Sequence, residues 1–268
     1  MIRHPSPRLG FAHLTALTFG LAFLYLPILL VVIFSFNASK LVTVWGGFSL
    51  HWYGVLFSNS AYLEAAVNSL KIATLAATLA TALGTLGALA LTRLGRFPGR
   101  QIFGGLLLAP MVLPEVILGV SALMLFVTLG IERGLPSVAV AHATFGAAYV
   151  LVIIQSKLVT LDPNLDAAAR DLGAGPVMAF LLVTVPSLLP ALVAGWLLAF
   201  TLSLDDVVVA SFVNGPGATT LPVRVYSAVR LGVSPEINAI STIMLAIVGI
   251  VVIAASLLQK QALMRNRR

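Results

Sequence analysis

Residues Asp162–Pro190 read DPNLDAAARDLGAGPVMAFLLVTVPSLLP, the most polar interior stretch of a very apolar chain. Asp162 is a typical helix N-cap, and Pro163 suits the first helical position because an N–H there would have no partner inside the helix. Gly173 can end the helix in the left-handed conformation, and Gly175-Pro176 prevents its continuation. These signals predict a helix of about ten residues, which is far too short to cross a bilayer.

The apolar residues of this short helix recur at helical spacing. Those at i, i+3, i+4 and i+7 are Leu165, Ala168, Ala169 and Leu172. The spacing predicts one narrow apolar stripe, with the charged residues Asp166, Arg170 and Asp171 turned away from it. A surface helix with such a face is suited to contact another molecule.

The composition of the whole chain indicates an integral membrane protein. Hydrophobic residues make up 59% and charged residues 9%, and the mean hydropathy is +1.04. A soluble domain carries about a quarter charged residues. The chain has no cysteine, which excludes disulfides and thiolate metal sites, and its four histidines lack metal-ligand spacing.

Six apolar runs, each long enough to cross a bilayer as a helix, predict an all-α fold with six transmembrane helices. They are residues 14–36, 63–91, 101–129, 137–158, 177–204 and 235–258. Residues 14–258 form the predicted membrane domain, and the loop 159–176 carries the short helix. Residues 1–13 are predicted to be a cytoplasmic segment, and residues 259–268 a basic cytoplasmic tail.

Lys and Arg residues are distributed unequally between the two sides of this predicted domain. Most of the 16 fall in the two terminal segments, the Arg93–Arg100 link and the Lys157–Arg170 link. Because cytoplasmic segments of membrane proteins carry an excess of these residues, both termini and the short helix are predicted to be cytoplasmic. This topology accounts for the net charge of +7, and no nucleic-acid partner is expected.

Glu115 is a candidate for the path of a transported solute. It lies in the third apolar run, about 21 Å along a helix that begins at Gln101, and burying its charge there costs about 2.5 kcal/mol or more. Pro110 and Pro114 interrupt the run, and a broken helix at membrane depth is tolerated where it faces protein or a watery cavity. A cation route explains this pattern, and a carboxyl that only packs against a neighbouring helix explains it as well.

Asp205 and Asp206 form the second candidate. Apolar runs stand on both sides of the pair, at residues 191–204 and 207–213. Two adjacent carboxylates repel each other, so a bound cation would stabilise them. The length of the fifth run places them at the outer mouth of the membrane domain, where a merely solvated helix end is the alternative.

Other chemistry is not predicted from the chain. His142, in the fourth run, has no evident acidic partner, which favours a buried packing role. No Ser-His-Asp, Cys-His or metalloprotease spacing occurs, so neither catalytic residues nor a metal site is expected. The loop 214–222 lacks the glycine and lysine spacing of a nucleotide-binding loop, as does the rest of the chain. If the protein does energised work, another chain binds the ATP.

The opening stretch resembles a loop of ABC-importer permeases that follows the pattern Glu-Ala-Ala, three residues, Gly, nine residues, Ile-x-Leu-Pro. The corresponding residues here are Ala167-Ala168-Ala169, Gly173 and Val183-Thr184-Val185-Pro186. In that family the loop is the coupling helix, which docks into a cleft on the ATPase subunit. The resemblance therefore assigns ATPase coupling to residues 166–169, Gly173 and Pro186. Ala167 departs from the pattern at the Glu position, and Asp166 stands just before it.

The last third of the chain resembles polyamine permeases. Three stretches carry the likeness: Ser203–Phe212, Gly215–Pro222 followed by Val225–Ser227, and Gly232–Ala239. Near the N-terminus, Ser39–Trp45 is similar to the putrescine branch. The resemblance implies a complex with a second homologous permease, two ATPase subunits and an external polyamine-binding protein. ATP and magnesium are expected only on the ATPase subunits, so this chain itself is expected to be no enzyme and to hold no cofactor.

The resulting hypothesis is a bacterial inner-membrane permease that imports polyamines, most of all putrescine. Glu115, Asp205 and Asp206 would line the cation route. One alternative keeps the architecture and changes the cargo, for example to ferric ion. The other is a cation carrier that works without an ATPase.

Overall fold

The computed structural model describes residues 11–162, 164–232 and 234–265. Pro163, predicted at the first position of the short helix, lies outside these residues. The described chain is helical, apart from loops and an isolated bridge between Asn37 and Phe48. The helices are α1 Phe11–Phe34, α2 His51–Ser58, α3 Ser60–Arg93, α4 Arg100–Val112, α5 Glu115–Thr128, α6 Leu135–Thr160, α7 Asn164–Asp171, α8 Pro176–Ala179, α9 Val185–Asp205, α10 Val208–Val213, α11 Leu221–Leu231 and α12 Pro235–Arg265.

Four of the predicted spans are present as helices long and apolar enough to cross a membrane. The first is His13–Phe34, which lies within α1. The second and third are the whole of α3 and of α6, and the fourth is the segment Pro176–Asp205, which includes α8 and α9. The predicted loop after Asp205 contains two further helices, α10 and α11, which the glycines and prolines of that region did not suggest. The all-α membrane fold is therefore confirmed.

The third predicted span is not one interrupted helix but two helices bent by 114°. Together α4 and α5 are apolar enough for one span, which brings the described total to five. The break lies at Leu113-Pro114, where Leu113 is extended with φ −74° and ψ 138°. A proline disfavours helical geometry in the residue before it, which explains the break at Pro114. Pro110 remains inside α4.

The sixth predicted span corresponds to α12, a helix of 31 residues. Its described apolar part, Pro235–Ile250, is shorter than a membrane crossing. The helix continues to Arg265, so residues 259–265 of the predicted basic tail are helical.

The chain divides into two compact units. One consists of Met1–Ser60 with Ser227–Arg268, described here from Phe11 to Arg265; in it, α12 packs against α1 and α2. The buried side chain of Asn37 organises its 37–48 loop. The amide donates to the carbonyl of Val44 at 2.7 Å, and its oxygen accepts the N–H of Gly46 at 2.7 Å.

The second unit, Ala61–Tyr226, holds the predicted functional residues. Its core is built on small residues, which allow helix backbones to approach closely. At Gly84 of α3 an added Cβ would lie 2.7 Å from the carbonyl oxygen of Ala147 in α6. The loop after α10 is held to α3, where the Asn68 amide donates to the carbonyl of Gly217 at 2.9 Å.

Candidate coupling and carboxylate sites

The N-terminus of α7 is capped as the sequence predicts. The carboxylate of Asp162 accepts the backbone N–H of Asn164 at 2.9 Å. One of the backbone donors left free at a helix start is thereby satisfied. The side chain of Asp166, assigned to coupling by resemblance, lies outside the described side chains.

The C-terminus of α7 is a Schellman motif centred on Gly173. Gly173 has φ +91°, its N–H donates to the carbonyl of Arg170 at 2.9 Å, and the N–H of Ala174 donates to that of Ala169 at 3.1 Å. These two bonds satisfy carbonyls that the helix itself leaves free. The predicted role of Gly173 as the left-handed end of the helix is therefore confirmed.

The predicted apolar stripe of α7 is largely uncovered in this chain. Leu172 is 90% exposed and Leu165 43% exposed. Ala167 and Ala168 are exposed as well, and Ala169 is half-buried. A helix of eight residues is held by its caps and by packing against the α8 segment, while its stripe remains open to a partner.

A cavity of about 530 Å³ lies beneath α7. Arg170 and Asp171 border it from α7, Arg93 from the end of α3, and Phe180 from the segment after α8. The short helix thus packs against α8 and the segment after it, and an open space lies between it and the end of α3.

The segment after α8 contains a wider, π-helical turn at Phe180–Thr184. The N–H of Val185 donates to the carbonyl of Phe180, five residues back. Pro186, the second residue of α9, has no N–H to offer, and its ring would crowd the carbonyl of Leu182 in a regular α-helix. The wider turn relieves this conflict. Pro186 is exposed.

The structure separates the two adjacent carboxylates of the sequence. Asp205 is the last residue of α9 and is exposed, whereas the next residue, Asp206, is extended with φ −65° and ψ 129°. This turn directs the Asp206 carboxylate into the protein, where its side chain is 4% exposed. The pair therefore does not present two carboxylates side by side to the same solute.

The Asp206 carboxylate accepts hydrogen bonds from the start of α10. Its two carboxylate oxygens accept the N–H of Val209 at 3.3 Å and that of Ala210 at 2.7 Å. A carboxylate at this position satisfies free donors and interacts favourably with the positive end of the helix. Sequence reasoning missed this role because α10 itself was not predicted.

His142 does have an acidic partner, so the sequence interpretation was wrong on this point. Its Nε2 lies 3.1 Å from an Asp206 oxygen, and its Nδ1 shares a 2.7 Å hydrogen bond with the Ser203 hydroxyl. The Nε2 contact has ion-pair distance but lacks hydrogen-bond alignment. The spacing of 61 residues between His142 and Ser203 gave no signal in the sequence. The side chains of His142, Ser203 and Asp206 are all buried, so a solute cannot reach this Ser-His-Asp cluster.

Glu115 is the first residue of α5 and is exposed. Within the described residues its side chain makes no hydrogen bond or ion pair. Helix α10, which follows Asp206, packs along α5. The carboxylate therefore stands at the start of the second helix of the bent pair, where the chain turns after Pro114.

The model of one family, described as binding-protein-dependent transport system inner membrane component, matches residues 80–267. The chain belongs to this family. The permease is thus an inner-membrane transport component, as its composition and resemblance indicated. The Ala167 and Gly173 pattern falls within the matched region.

Similar proteins extend over most of the permease. The putrescine transport system permease protein PotI of Escherichia coli strain K12 is 53% identical over 88% of this chain and 86% of its own length. The spermidine/putrescine transport system permease protein PotC of the same strain is 43% identical over 89% and 90%. These similarities confirm the resemblance to polyamine permeases.

Solved structures support the fold. A bacterial ABC transporter involved in the import of the acidic polysaccharide alginate matches 97% of the permease and 99% of its own chain, with a TM-score of 0.74 and 17% identity. An amino acid ABC transporter matches 78% of the permease and 98% of its own chain, with a TM-score of 0.58 and 19% identity. Both belong to ABC transporters, as the fold prediction required.

Proposed function

We propose that this permease is the membrane subunit of an ATP-driven importer that moves polyamines into the cytoplasm, with putrescine as the preferred cargo. The observation that carries the proposal is the 53% identity with the putrescine permease over 88% of the chain. A match of this length includes the predicted coupling loop, the turn at residues 205–206 and the loop after α10.

The cargo route uses exposed carboxylates. Putrescine is a short dication, and carboxylates beside an apolar wall hold its ammonium ends while its methylene groups pack on aliphatic side chains. Asp205 and Glu115 are exposed and suited to direct contact. Asp206, the third predicted route residue, is buried and acts through the turn that it holds.

The coupling helix α7 docks into a cleft of a partner ATPase through its uncovered stripe. ATP and magnesium bind that partner, whose closure moves α7 and, through α8, the spanning helix α9. The complete importer contains this permease and a second homologous one in the bilayer, two ATPase subunits on the cytoplasmic side, and an external polyamine-binding protein. Both termini of this chain face the cytoplasm, on the side of α7.

Uptake into vesicles that contain all partners tests this function. We expect ATP-dependent uptake of labelled putrescine, with competition by excess spermidine and none by a non-amine such as sulfate. Inactivation of the ATPase should abolish uptake. Undiminished uptake with the inactive ATPase would instead support a carrier independent of ATP, and competition by ferric ion with no effect of amines would support a metal importer.

Asp205→Asn is expected to lower putrescine uptake at least about tenfold, because a charge-assisted contact contributes about 1.5–3 kcal/mol. The complex should still assemble, since the Asp205 side chain is exposed and supports no helix start. Initial uptake rates, normalised to the purified complex, measure the effect. Glu64→Gln, at another exposed acid, is the matched control and should transport normally. Equal rates for Asp205→Asn and the control would remove Asp205 from the route.

A further inference from the structure

His142 is the point at which three helices of the second unit meet. It lies in α6, contacts Ser203 in α9 through Nδ1, and contacts Asp206 before α10 through Nε2. The imidazole is fully buried, with 0% of its side chain exposed. The ring is hydrogen-bonded to Ser203 through Nδ1, as buried polar groups usually are, and its Nε2 lies at ion-pair distance from Asp206 on the other side of Asp205.

We propose that His142 is a positioning residue for cargo recognition: it holds Asp206 and Ser203 inside the protein so that, of the two adjacent aspartates, only Asp205 faces the cationic cargo. The proposal rests on the proposed import of polyamines. It assigns different roles to two identical, adjacent residues, with Asp205 as the cargo contact and Asp206 as part of the support.

The hydrogen-bonding chemistry of the cluster favours a proton on Nε2 of His142. If Ser203 donates to Nδ1, a neutral imidazole carries its proton on Nε2, the nitrogen that lies 3.1 Å from an Asp206 oxygen. An imidazolium also has a proton on Nε2. The remaining tautomer would place two acceptors 3.1 Å apart, which is unfavourable. Both favourable states therefore attract the carboxylate to His142 and keep it away from the solute.

The backbone explains how this contact reaches Asp205. Asp206 accepts two N–H groups at the start of α10, so its position fixes where α10 begins. Ser203 lies in the last turn of α9, so its contact fixes where α9 ends. Asp205 lies between these two anchors. Loss of the imidazole removes the link between the two anchors, while Asp206 keeps its bonds to α10, and Asp205 loses its fixed direction.

Thiol accessibility tests the difference between the two carboxylates. The chain has no cysteine, so Asp205→Cys and Asp206→Cys each introduce a unique thiol. In the assembled complex, a positively charged thiosulfonate reagent should label position 205 at least about tenfold faster than position 206, because reaction requires exposure. Equal rates would overturn the proposal.

Transport kinetics test the role of His142 directly. His142→Leu should raise the KM for putrescine about tenfold, as expected for loss of a contact to a charged group, with a smaller change in the maximal rate. His142→Gln keeps a side-chain N–H donor, so its KM for putrescine should lie between that of the unmodified permease and that of His142→Leu. His13→Leu, at an exposed histidine of α1, is the matched control. An unchanged KM with less assembled complex would assign His142 a purely structural role and contradict the proposal.

Failure of this inference is distinguishable from failure of the proposed function. If the unmodified complex shows no ATP-dependent putrescine uptake, the function is wrong. If it transports putrescine and His142→Leu has the same KM, only the role of His142 is wrong. Should Asp206→Cys fail to assemble, the His142→Gln and His142→Leu comparison still decides the question.

Discussion

Gly215→Ala is expected to prevent accumulation of the folded permease. Gly215 follows α10, and a Cβ built on it would fall on the backbone carbonyl of Arg133 in the link between α5 and α6. Because the obstacle is backbone rather than a flexible side chain, one of the two loops must move. We expect a cost of about 3 kcal/mol or more, at the upper end for overpacking.

The measurement is the amount of monodisperse complex after extraction, together with its midpoint of thermal unfolding. Gly105→Ala is the control, because Gly105 is an exposed helical glycine of α4 with open space around it. There alanine should be neutral or stabilise by about 0.5–1 kcal/mol. A Gly215→Ala complex as stable as the control would mean that the two loops do not touch in the assembled importer.

Gly173→Val is expected to uncouple ATP hydrolysis from uptake. Gly173 has φ +91°, a conformation that a β-branched residue adopts only under strain. The substitution therefore breaks the Schellman motif and changes the direction in which α7 ends. We expect uptake to fall at least about a hundredfold, since misplacement by about 1 Å can cost that much in a tightly positioned system.

The assay compares uptake per ATP hydrolysed, and retention of the ATPase during purification, between this variant and Gly175→Ala. Gly175 is a matched glycine two residues away, with φ −64° and nothing near its added Cβ. That control should remain coupled. Normal coupling in Gly173→Val would contradict the docking of α7 on the ATPase.

The short helix α7 was predictable because its determinants are local. Asp162 caps it, Gly173 ends it, and Gly175-Pro176 starts the next helix within a few residues. The family pattern is local as well, so the loop could be proposed as the ATPase-coupling loop without the structure. Its partner remains a proposal, since an uncovered stripe indicates a contact but does not name it.

The carboxylate site was predicted only in part, because its geometry depends on distant residues. The sequence placed Asp205 and Asp206 together, and one extended residue at 206 sends them in different directions. His142 lies more than sixty residues before them, on another helix, and no local pattern connects such positions. Likewise, Pro114 predicted a break in the third span, but a proline alone does not specify the angle of 114° between the two helices.

The wider turn at Phe180–Thr184 sets how far α7 is rotated about the axis of α9. One extra residue in that turn corresponds to about 100° of rotation in an α-helix. The direction in which α7 projects around the axis of α9 therefore depends on the number of residues in this turn as well as on their side chains. A chain shortened by one residue there would keep every residue of α7 and turn their side chains toward a different neighbour.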